Sequence, residues 1–90
     1  MIEVRFRIEA KADLDHISGY YSDFSQSAAK NVLGDIHDTI ETLRLFPKVG
    51  RKSGEIKHRR VVTPKYRYVI IYVPSEEVLD IIGIFRFQKR

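Results

Sequence analysis

The chain has 90 residues, no cysteine and a formal net charge of +4 at neutral pH. A chain of this length forms one small core, so we expect a single domain over residues 1–90. The lack of cysteine excludes a disulfide framework and thiolate metal sites and is typical of cytoplasmic proteins. No apolar run approaches the roughly 20 residues that a membrane span needs.

The charge is divided unevenly between the two halves of the chain. Residues 44–90 hold twelve Lys and Arg side chains against four acidic ones, a net charge of +8, whereas residues 1–43 carry −4. An asymmetry of this size in a small domain indicates a face that binds a polyanion or an acidic partner.

The first predicted elements in chain order are a strand and two helices. Residues 1–9 alternate between apolar and charged side chains, which predicts a strand with one buried face. Apolar residues at helical spacing then predict a first helix over residues 10–21 and a second over residues 28–45. Ser25 and Ser27 are candidates to cap the second helix, which would form an αα-hairpin with the first.

The second half of the chain predicts a loop followed by three strands. Residues 47–57 contain one Pro, two Gly and four basic side chains, which predicts a basic surface loop. Strands are predicted over residues 59–63, 66–73 and 78–87, because these segments are rich in β-branched and aromatic residues. The order β-α-α-β-β-β predicts an α+β fold in which the helix pair packs on one face of a mostly antiparallel sheet.

The strand over residues 66–73 has two chemically different faces. Tyrosines occupy one face, which we expect to pack beneath the helices, although sheets with aromatic faces and flanking Arg can also stack nucleic-acid bases. The opposite face carries Val69, Ile71 and Val73 beside Arg67 and would be left bare by the helices. A bare apolar strip with a basic rim predicts a protein partner.

The helices carry two histidines among acidic residues. A metal site needs three or four converging ligands, and the surroundings of His16 and His37 provide two at best, so we predict no metal or other cofactor. The second helix also carries Asp35, Asp38 and Glu41. Their charges would repel a phosphate backbone, so the sequence disfavours DNA binding through this helix.

Four segments of the chain together resemble the RelE/ParE superfamily of small bacterial toxins. AKADLDHISGYY resembles the first helix of that family, and LRLFPKVGR resembles the end of its second helix. HRRVVTPKYRYVIIY resembles the family hairpin that carries Arg and Tyr, and VLDIIGIFRFQKR resembles its final strand. The resemblance covers nearly the whole chain and preserves the order and spacing of the four segments.

Membership of this family would imply the toxin of a type II toxin–antitoxin, or plasmid stabilisation, module. Its partner would be a cognate antitoxin, acidic and partly disordered, that wraps the toxin with a helix and an extended tail. RelE-like members cut mRNA in the ribosomal A site, whereas ParE-like members inhibit DNA gyrase and arrest growth. Either target, gyrase or the ribosome with its mRNA, is compatible with the resemblance.

A RelE-like, metal-independent ribonuclease needs cations at the scissile phosphate and a group that transfers a proton. In this alternative, Arg59, Arg60 and Arg86 would stabilise the phosphate. His58, the only histidine in the basic half, would transfer the proton. Other members often have His where this chain has Arg86, which cannot act as a base, and no late Tyr of the RelE kind follows before Arg90.

The ribonuclease set is therefore incomplete, and the chain resembles ParE more than RelE. We expect a toxin that is not an enzyme, that occupies gyrase in the cytoplasm and that an antitoxin neutralises. A ribosome-dependent endoribonuclease and a non-toxic binding module of the same fold are the alternatives. The partner-binding residues predicted on the main reading are Arg51, Arg59, Arg60, Arg67, Val69, Ile71, Val73 and Arg86.

Overall fold

The protein is described by a computed structural model that covers residues 2–52 and 57–87. The elements in this part of the chain are β1 (Glu3–Phe6), α1 (Ile8–Ser22), α2 (Gln26–Leu45), β2 (Arg51–Lys52), β3 (Arg59–Val62), β4 (Tyr68–Pro74) and β5 (Val78–Arg86). The predicted α+β fold and its order are confirmed, and β2 is a short strand within the predicted basic loop. Residues 53–56 of that loop, Met1 of the predicted first strand and residues 88–90 lie outside the described residues.

The strands form one sheet in the order β1-β5-β4-β3-β2. β1 runs parallel to β5, and the other three neighbouring pairs are antiparallel, so the sheet is mostly antiparallel as predicted. Between β4 and β5, Ile71 pairs with Gly83 and Tyr72 pairs with Ile81. Ile82 is therefore the extra residue of a β-bulge, next to the glycine at which the sequence allows one.

Both helices differ slightly from their predicted ends. The chain leaves β1 after Phe6 and turns at once into α1, so Ile8 is 84% exposed and does not continue the buried face of the strand. α2 begins at Gln26, where the Ser25 hydroxyl accepts a hydrogen bond from the Ala28 amide at 2.9 Å. This bond satisfies one of the free amides of the first helical turn, as expected of an N-cap serine.

The helix pair covers one side of the sheet, which we call the inner face; the other side is the outer face. The inner face buries six side chains of β4 and β5 against apolar residues of both helices. These six are Tyr68, Ile70, Tyr72, Leu79, Ile81 and Ile84. Apolar burial of this kind supplies most of the free energy that holds the helices on the sheet.

Two carboxylates also join the helices to the sheet. Asp13 of α1 accepts a hydrogen bond from the backbone amide of Ile84 at 2.9 Å. Asp35 of α2 accepts hydrogen bonds from the amides of Lys65 and Tyr66, the latter at 2.7 Å, and is only 4% exposed. Asp35 is therefore not on the exposed side of α2 with Asp38, because its carboxylate is buried and holds the β3–β4 turn.

Candidate partner-binding face

The strand register places two arginines and an isoleucine together on the outer face. Arg60 of β3 pairs directly with Ile71 of β4 on one side and with Arg51 of β2 on the other. Directly paired residues point to the same side of a sheet. Because Ile70 and Tyr72, the neighbours of Ile71 in the chain, face inward, all three side chains lie on the outer face.

Arg51 and Arg60 are like charges at directly opposed positions. Both side chains are exposed, and a like-charged pair at such positions destabilises a sheet unless something neutralises it. The ion pairs found in residues 2–52 and 57–87 involve Arg5, His37 and Arg44 and do not include either of these arginines. The described chain thus presents two adjacent guanidinium groups that carry no carboxylate partner.

Apolar side chains border this pair on the outer face, but the predicted strip is incomplete. Ile71, Val73 and Val62 are half-buried, and Phe85 is 47% exposed. The expectation that Val69 is bare is wrong. Val69 lies between Val62 and Phe85 in the sheet and has an exposed fraction of 0%, so a partner cannot reach its side chain without a rearrangement.

The opposite edge of the outer face carries more acidic than basic side chains. Arg5 of β1 is paired in register with Asp80 of β5 and lies 3.7 Å from the Glu3 carboxylate. One cation is thus surrounded by two acidic side chains at this edge. The unbalanced positive charge of the outer face is concentrated at β2 and β3.

A hydrogen-bonded cluster holds the loop that precedes β2. The Tyr72 hydroxyl accepts a hydrogen bond from the Gly50 amide at 2.8 Å and donates one to the Pro47 carbonyl at 2.9 Å. Burial raises the pKa of this hydroxyl, while the Gly50 hydrogen bond and the charge of Arg59 act in the opposite direction. The hydroxyl therefore keeps its proton at neutral pH and can serve as the donor to Pro47.

Arg59 contributes to the same cluster. Its Nη1 donates hydrogen bonds to the carbonyls of Lys48 at 3.0 Å and Gly50 at 2.7 Å. Arg59 pairs with Tyr72 across the strands and therefore lies on the inner face. The structure thus gives Arg59 a role in holding the loop, which differs from the predicted role of a free charge for a partner or a phosphate.

Arg67 and Arg86 lie at the far end of the sheet from this cluster. Arg67 closes the β3–β4 turn with a φ angle of 60°, the left-handed region, and its guanidinium is 5.2 Å from the centre of the Phe87 ring. Arg86 pairs with Tyr68 and so lies on the inner side. Burial and a hydrogen bond to Tyr21 raise the pKa of Tyr68 to about 12, and Arg86 lowers it in part.

The predicted ribonuclease set does not come together. Arg60 is on the outer face, whereas Arg59 and Arg86 are on the inner side. Arg59 is level with Tyr72 and Arg86 is level with Tyr68. These rows are four residues apart, which is roughly 13 Å along a strand. Because Arg60 is on the opposite face and the Arg59 guanidinium binds the carbonyls of Lys48 and Gly50, this arrangement does not gather the three arginines around one phosphate.

The histidines lie apart from one another. His58 is half-buried just before β3, His16 is exposed on α1, and His37 is exposed and lies 3.6 Å from the Asp38 carboxylate. Among the described residues, no three His, Asp or Glu side chains lie close enough together to hold a metal ion.

The tyrosines do not form an open stacking surface. Tyr68 is 6% exposed and Tyr72 is 0% exposed, so neither ring can accept a nucleic-acid base. Tyr66 precedes β4 and packs edge-on against Tyr21 of α1, with the ring centres 6.0 Å apart. The aromatic residues of this strand therefore hold the helices, as the sequence led us to expect.

An apolar groove opens on the helix side of the molecule. It has a volume of about 470 Å³ and is lined by apolar side chains of β1, α1 and α2. The polar side chains at its rim include Glu41 and Arg44, which bind each other at 3.1 Å, and Arg44 also donates to the Ile2 carbonyl. Because its cation is already paired, this groove lacks the unbalanced positive charge of the outer face.

Three structural contacts were not predicted from the sequence. Asp13, Asp35 and Tyr72 each bind backbone groups that lie 22 or more positions away in the chain. Spacing along one element cannot reveal such pairs. The one local signal was the Pro and Gly of LRLFPKVGR, which are the residues that supply the carbonyl and the amide to Tyr72.

The chain matches the model of one protein family, and its fold matches a solved structure. A family model described as the ParE toxin of the type II toxin–antitoxin system parDE matches residues 4–90. A solved structure of the chromosomal ParDE toxin–antitoxin system from P. aeruginosa superposes with a TM-score of 0.81, at 21% sequence identity and over 98% of each chain. No curated protein matches the chain. Within residues 2–52 and 57–87, neither helix combines the length and apolar character needed to cross a membrane.

Proposed function

The chain belongs to the ParE toxin family of type II toxin–antitoxin systems, and from this premise we propose that it arrests growth by inhibiting DNA gyrase in the cytoplasm. We further propose that an acidic antitoxin neutralises it by binding the outer face of the sheet. The observation that carries the second proposal is the adjacent Arg51 and Arg60 pair beside half-buried Ile71.

The chemistry of the outer face favours an acidic peptide. Two guanidinium groups without a carboxylate partner in the described chain attract negative charge, and Ile71 and Val73 offer apolar surface next to them. An amphipathic peptide that folds on binding can supply both carboxylates and apolar side chains. A phosphate backbone supplies charge alone and would meet Asp80 on the same face.

The gyrase target is supported by the scattering of the ribonuclease candidates. Positioned cations and a proton-transfer group must surround one phosphate for RNA cleavage. Arg59 holds a loop, Arg60 is on the outer face and Arg86 is on the inner side, so this arrangement supplies no such site. A toxin that works by occupying its target needs no catalytic cluster.

Two assays distinguish gyrase from the ribosome as the target: one with purified proteins and one on messenger RNA after the toxin is induced. We expect purified protein to reduce supercoiling by purified gyrase, and we expect primer extension on a translated message to show no new cuts. The control variants for the primer-extension assay are Arg86→Ala and His58→Ala, each tested separately. Cuts at A-site codons that disappear in either variant would overturn the gyrase proposal and establish the ribonuclease instead.

The docking face can be tested with one charge-introducing variant and one surface control. Ile71→Glu would remove apolar surface and place a carboxylate directly beside Arg60, where it pairs with the arginine and repels an acidic antitoxin, whereas Lys52→Ala removes an exposed side chain on neighbouring β2. We expect at least a 100-fold loss of antitoxin affinity for Ile71→Glu and a change within about 3-fold for Lys52→Ala. The circular dichroism spectrum must show that the Ile71→Glu chain is folded; equal losses in the two variants would mean that the antitoxin binds elsewhere.

Expression of the chain on its own offers a simpler check. We expect induction without the antitoxin to stop growth, and we expect co-expression of a short acidic protein encoded beside the toxin gene to restore it. Normal growth with a high yield of the folded chain alone would contradict the proposal of an active toxin.

A further inference from the structure

The loop that precedes β2 is held almost entirely by polar contacts. Phe46 and Val49 are 62% and 60% exposed, so apolar burial contributes little to its position. In the described residues, β2 consists of Arg51, which pairs with Arg60, and Lys52, which pairs with Arg59. So short an edge strand is not stable by its own hydrogen bonds and depends on what anchors its ends.

The described anchor is a set of hydrogen bonds made by Tyr72 and Arg59. Gly50, the last residue before β2, donates its amide to the Tyr72 hydroxyl, and its carbonyl accepts from Arg59. A Cβ atom on Gly50 would overlap the Tyr72 hydroxyl, so this position requires the bare backbone of glycine. Pro47 and Lys48 are held by the same two side chains through their carbonyls.

We infer that Tyr72 and Arg59 are positioning residues that hold Arg51 beside Arg60, and that the two arginines form a carboxylate-binding site. Neither positioning residue reaches the outer face itself. They act through the backbone of Gly50, which fixes where Arg51 begins β2. Within residues 2–52 and 57–87 no ion pair offsets the energetic cost of these two adjacent like charges, and a ligand carboxylate that bridges them would offset it.

The ligand that this site would take is a Glu or Asp side chain of an acidic peptide. Two guanidinium forks on adjacent strands can bind a carboxylate through several charge-assisted hydrogen bonds. Ile71, directly beside Arg60, gives an apolar neighbour of that acidic residue a place to pack. This assignment rests on the proposed antitoxin contact and names the chemistry of one part of it.

The inference can be tested by fluorescence anisotropy with a labelled octaglutamate peptide at low salt. The principal variant is Tyr72→Phe, which keeps the ring in the core and removes only the hydroxyl. Its matched control is Tyr68→Phe, another buried tyrosine, whose hydroxyl lies 3.5 Å from that of Tyr21. Gly50→Ala breaks the same anchor from the loop side and serves as an independent second variant.

We expect Arg51→Ala and Arg60→Ala to weaken octaglutamate binding roughly 5- to 10-fold, as for the loss of a charge-assisted contact. Tyr72→Phe and Gly50→Ala should weaken it roughly 3- to 10-fold, and Tyr68→Phe should leave it unchanged within about 2-fold. The double variant Tyr72→Phe/Arg51→Ala should bind no worse than Arg51→Ala alone. A merely structural role of Tyr72 would add its own loss to that of Arg51.

Three kinds of result would overturn the inference. If Arg51→Ala weakens binding and Tyr72→Phe does not, or if the double variant loses the sum of both effects, Tyr72 does not position the site. If neither arginine variant changes octaglutamate binding, the site does not bind carboxylates. A single-stranded oligothymidylate of equal charge that binds ten-fold more tightly than octaglutamate would also contradict it, because the ligand would then be nucleic acid.

These outcomes are separable from failure of the proposed function. Growth arrest and gyrase inhibition are measured in the absence of any peptide. Octaglutamate binding, in turn, is measured on the purified chain without gyrase or antitoxin. Loss of gyrase inhibition in the wild-type chain would contradict the proposed function and leave the peptide-binding result intact.

Discussion

The two faces of the sheet differ in how far their side chains are buried and in whether their charged groups have partners within the fold. On the inner face, Tyr68, Ile70 and Tyr72 are buried, and two charged side chains beside them, Arg59 of β3 and Asp35 of α2, bind backbone atoms. On the outer face, Ile71 and Val73 stay half-exposed, and two adjacent arginines carry no carboxylate partner in the described chain.

The difference shows how a small domain separates stability from recognition. Buried polar groups must be satisfied within the fold, because an unpaired one costs about 1–3 kcal/mol. Within residues 2–52 and 57–87, no buried side-chain nitrogen or oxygen lacks a hydrogen-bond partner. Among the described residues, the polar side-chain groups without a partner are therefore at the surface, where a second protein can supply one.

The largest expected difference in stability between the two faces is between variants of two adjacent isoleucines, Ile70 on the inner face and Ile71 on the outer face. Ile70→Ala leaves a cavity beneath the helices and should lower the free energy of unfolding by about 2–5 kcal/mol. Ile71→Ala removes half-exposed surface and should cost about 1 kcal/mol of stability while weakening antitoxin binding. Urea denaturation of both variants measures the difference, and equal losses would mean that the outer face also belongs to the core.

A smaller difference in stability is expected between variants of two aspartates on α2, buried Asp35 and exposed Asp38. Asp35→Asn weakens two hydrogen bonds to the β3–β4 turn and should cost about 1–3 kcal/mol. Asp38→Asn changes an exposed side chain and should leave the unfolding midpoint in place. Thermal melts of the two variants are sufficient; a larger shift for Asp38→Asn than for Asp35→Asn would disprove the anchoring role of Asp35.

Alkaline pH should lower the stability of the fold through the buried tyrosine Tyr68 on the inner face. The folded chain keeps the Tyr68 proton up to a pKa of about 12, whereas the unfolded chain loses it near 10. Between these pH values the unfolded state holds fewer protons, so stability falls as pH rises, by about 1 kcal/mol per pH unit for this tyrosine. Tyr68→Phe should flatten that fall in urea titrations at pH 9 to 12, and an unchanged slope would rule out this source.

The smallest expected difference in stability is between two variants of Arg67, in the turn between β3 and β4. Arg67 adopts a left-handed backbone conformation that glycine tolerates better than any residue with a Cβ. Arg67→Gly should therefore be more stable than Arg67→Ala by about 1 kcal/mol, the reverse of their order in a helix. Melting temperatures of the two variants decide this, and an Ala variant at least as stable as the Gly variant would exclude backbone strain at this position.

The sequence predicted the local elements well because each follows from a period within one segment. Alternation in β1 and helical spacing in α1 and α2 depend only on neighbours in the chain. The strand faces also followed: Tyr68 and Tyr72 are buried under the helices as expected. The strand β2 could not be predicted, because it forms by pairing with β3 and because the residue before it, Gly50, is held by distant Tyr72.

The candidate site was less predictable because it depends on register. Arg59 and Arg60 are adjacent in the chain, yet one holds a loop on the inner side and the other is exposed on the outer face. Val69 matched Ile71 in pattern but is fully buried. The pairing of Arg51 with Arg60 brings together residues from two segments, and composition alone could show only that both segments are basic.

Arginine footprinting of the toxin–antitoxin complex would show whether the antitoxin covers the arginine pair of the outer face. Phenylglyoxal modifies accessible guanidinium groups, and mass spectrometry locates the modified residues. We expect Arg51 and Arg60 to react in the free chain and to be protected in the complex, whereas exposed Arg7, between β1 and α1, should react in both. Modification of Arg51 and Arg60 to the same extent with and without the antitoxin would contradict the proposed antitoxin contact.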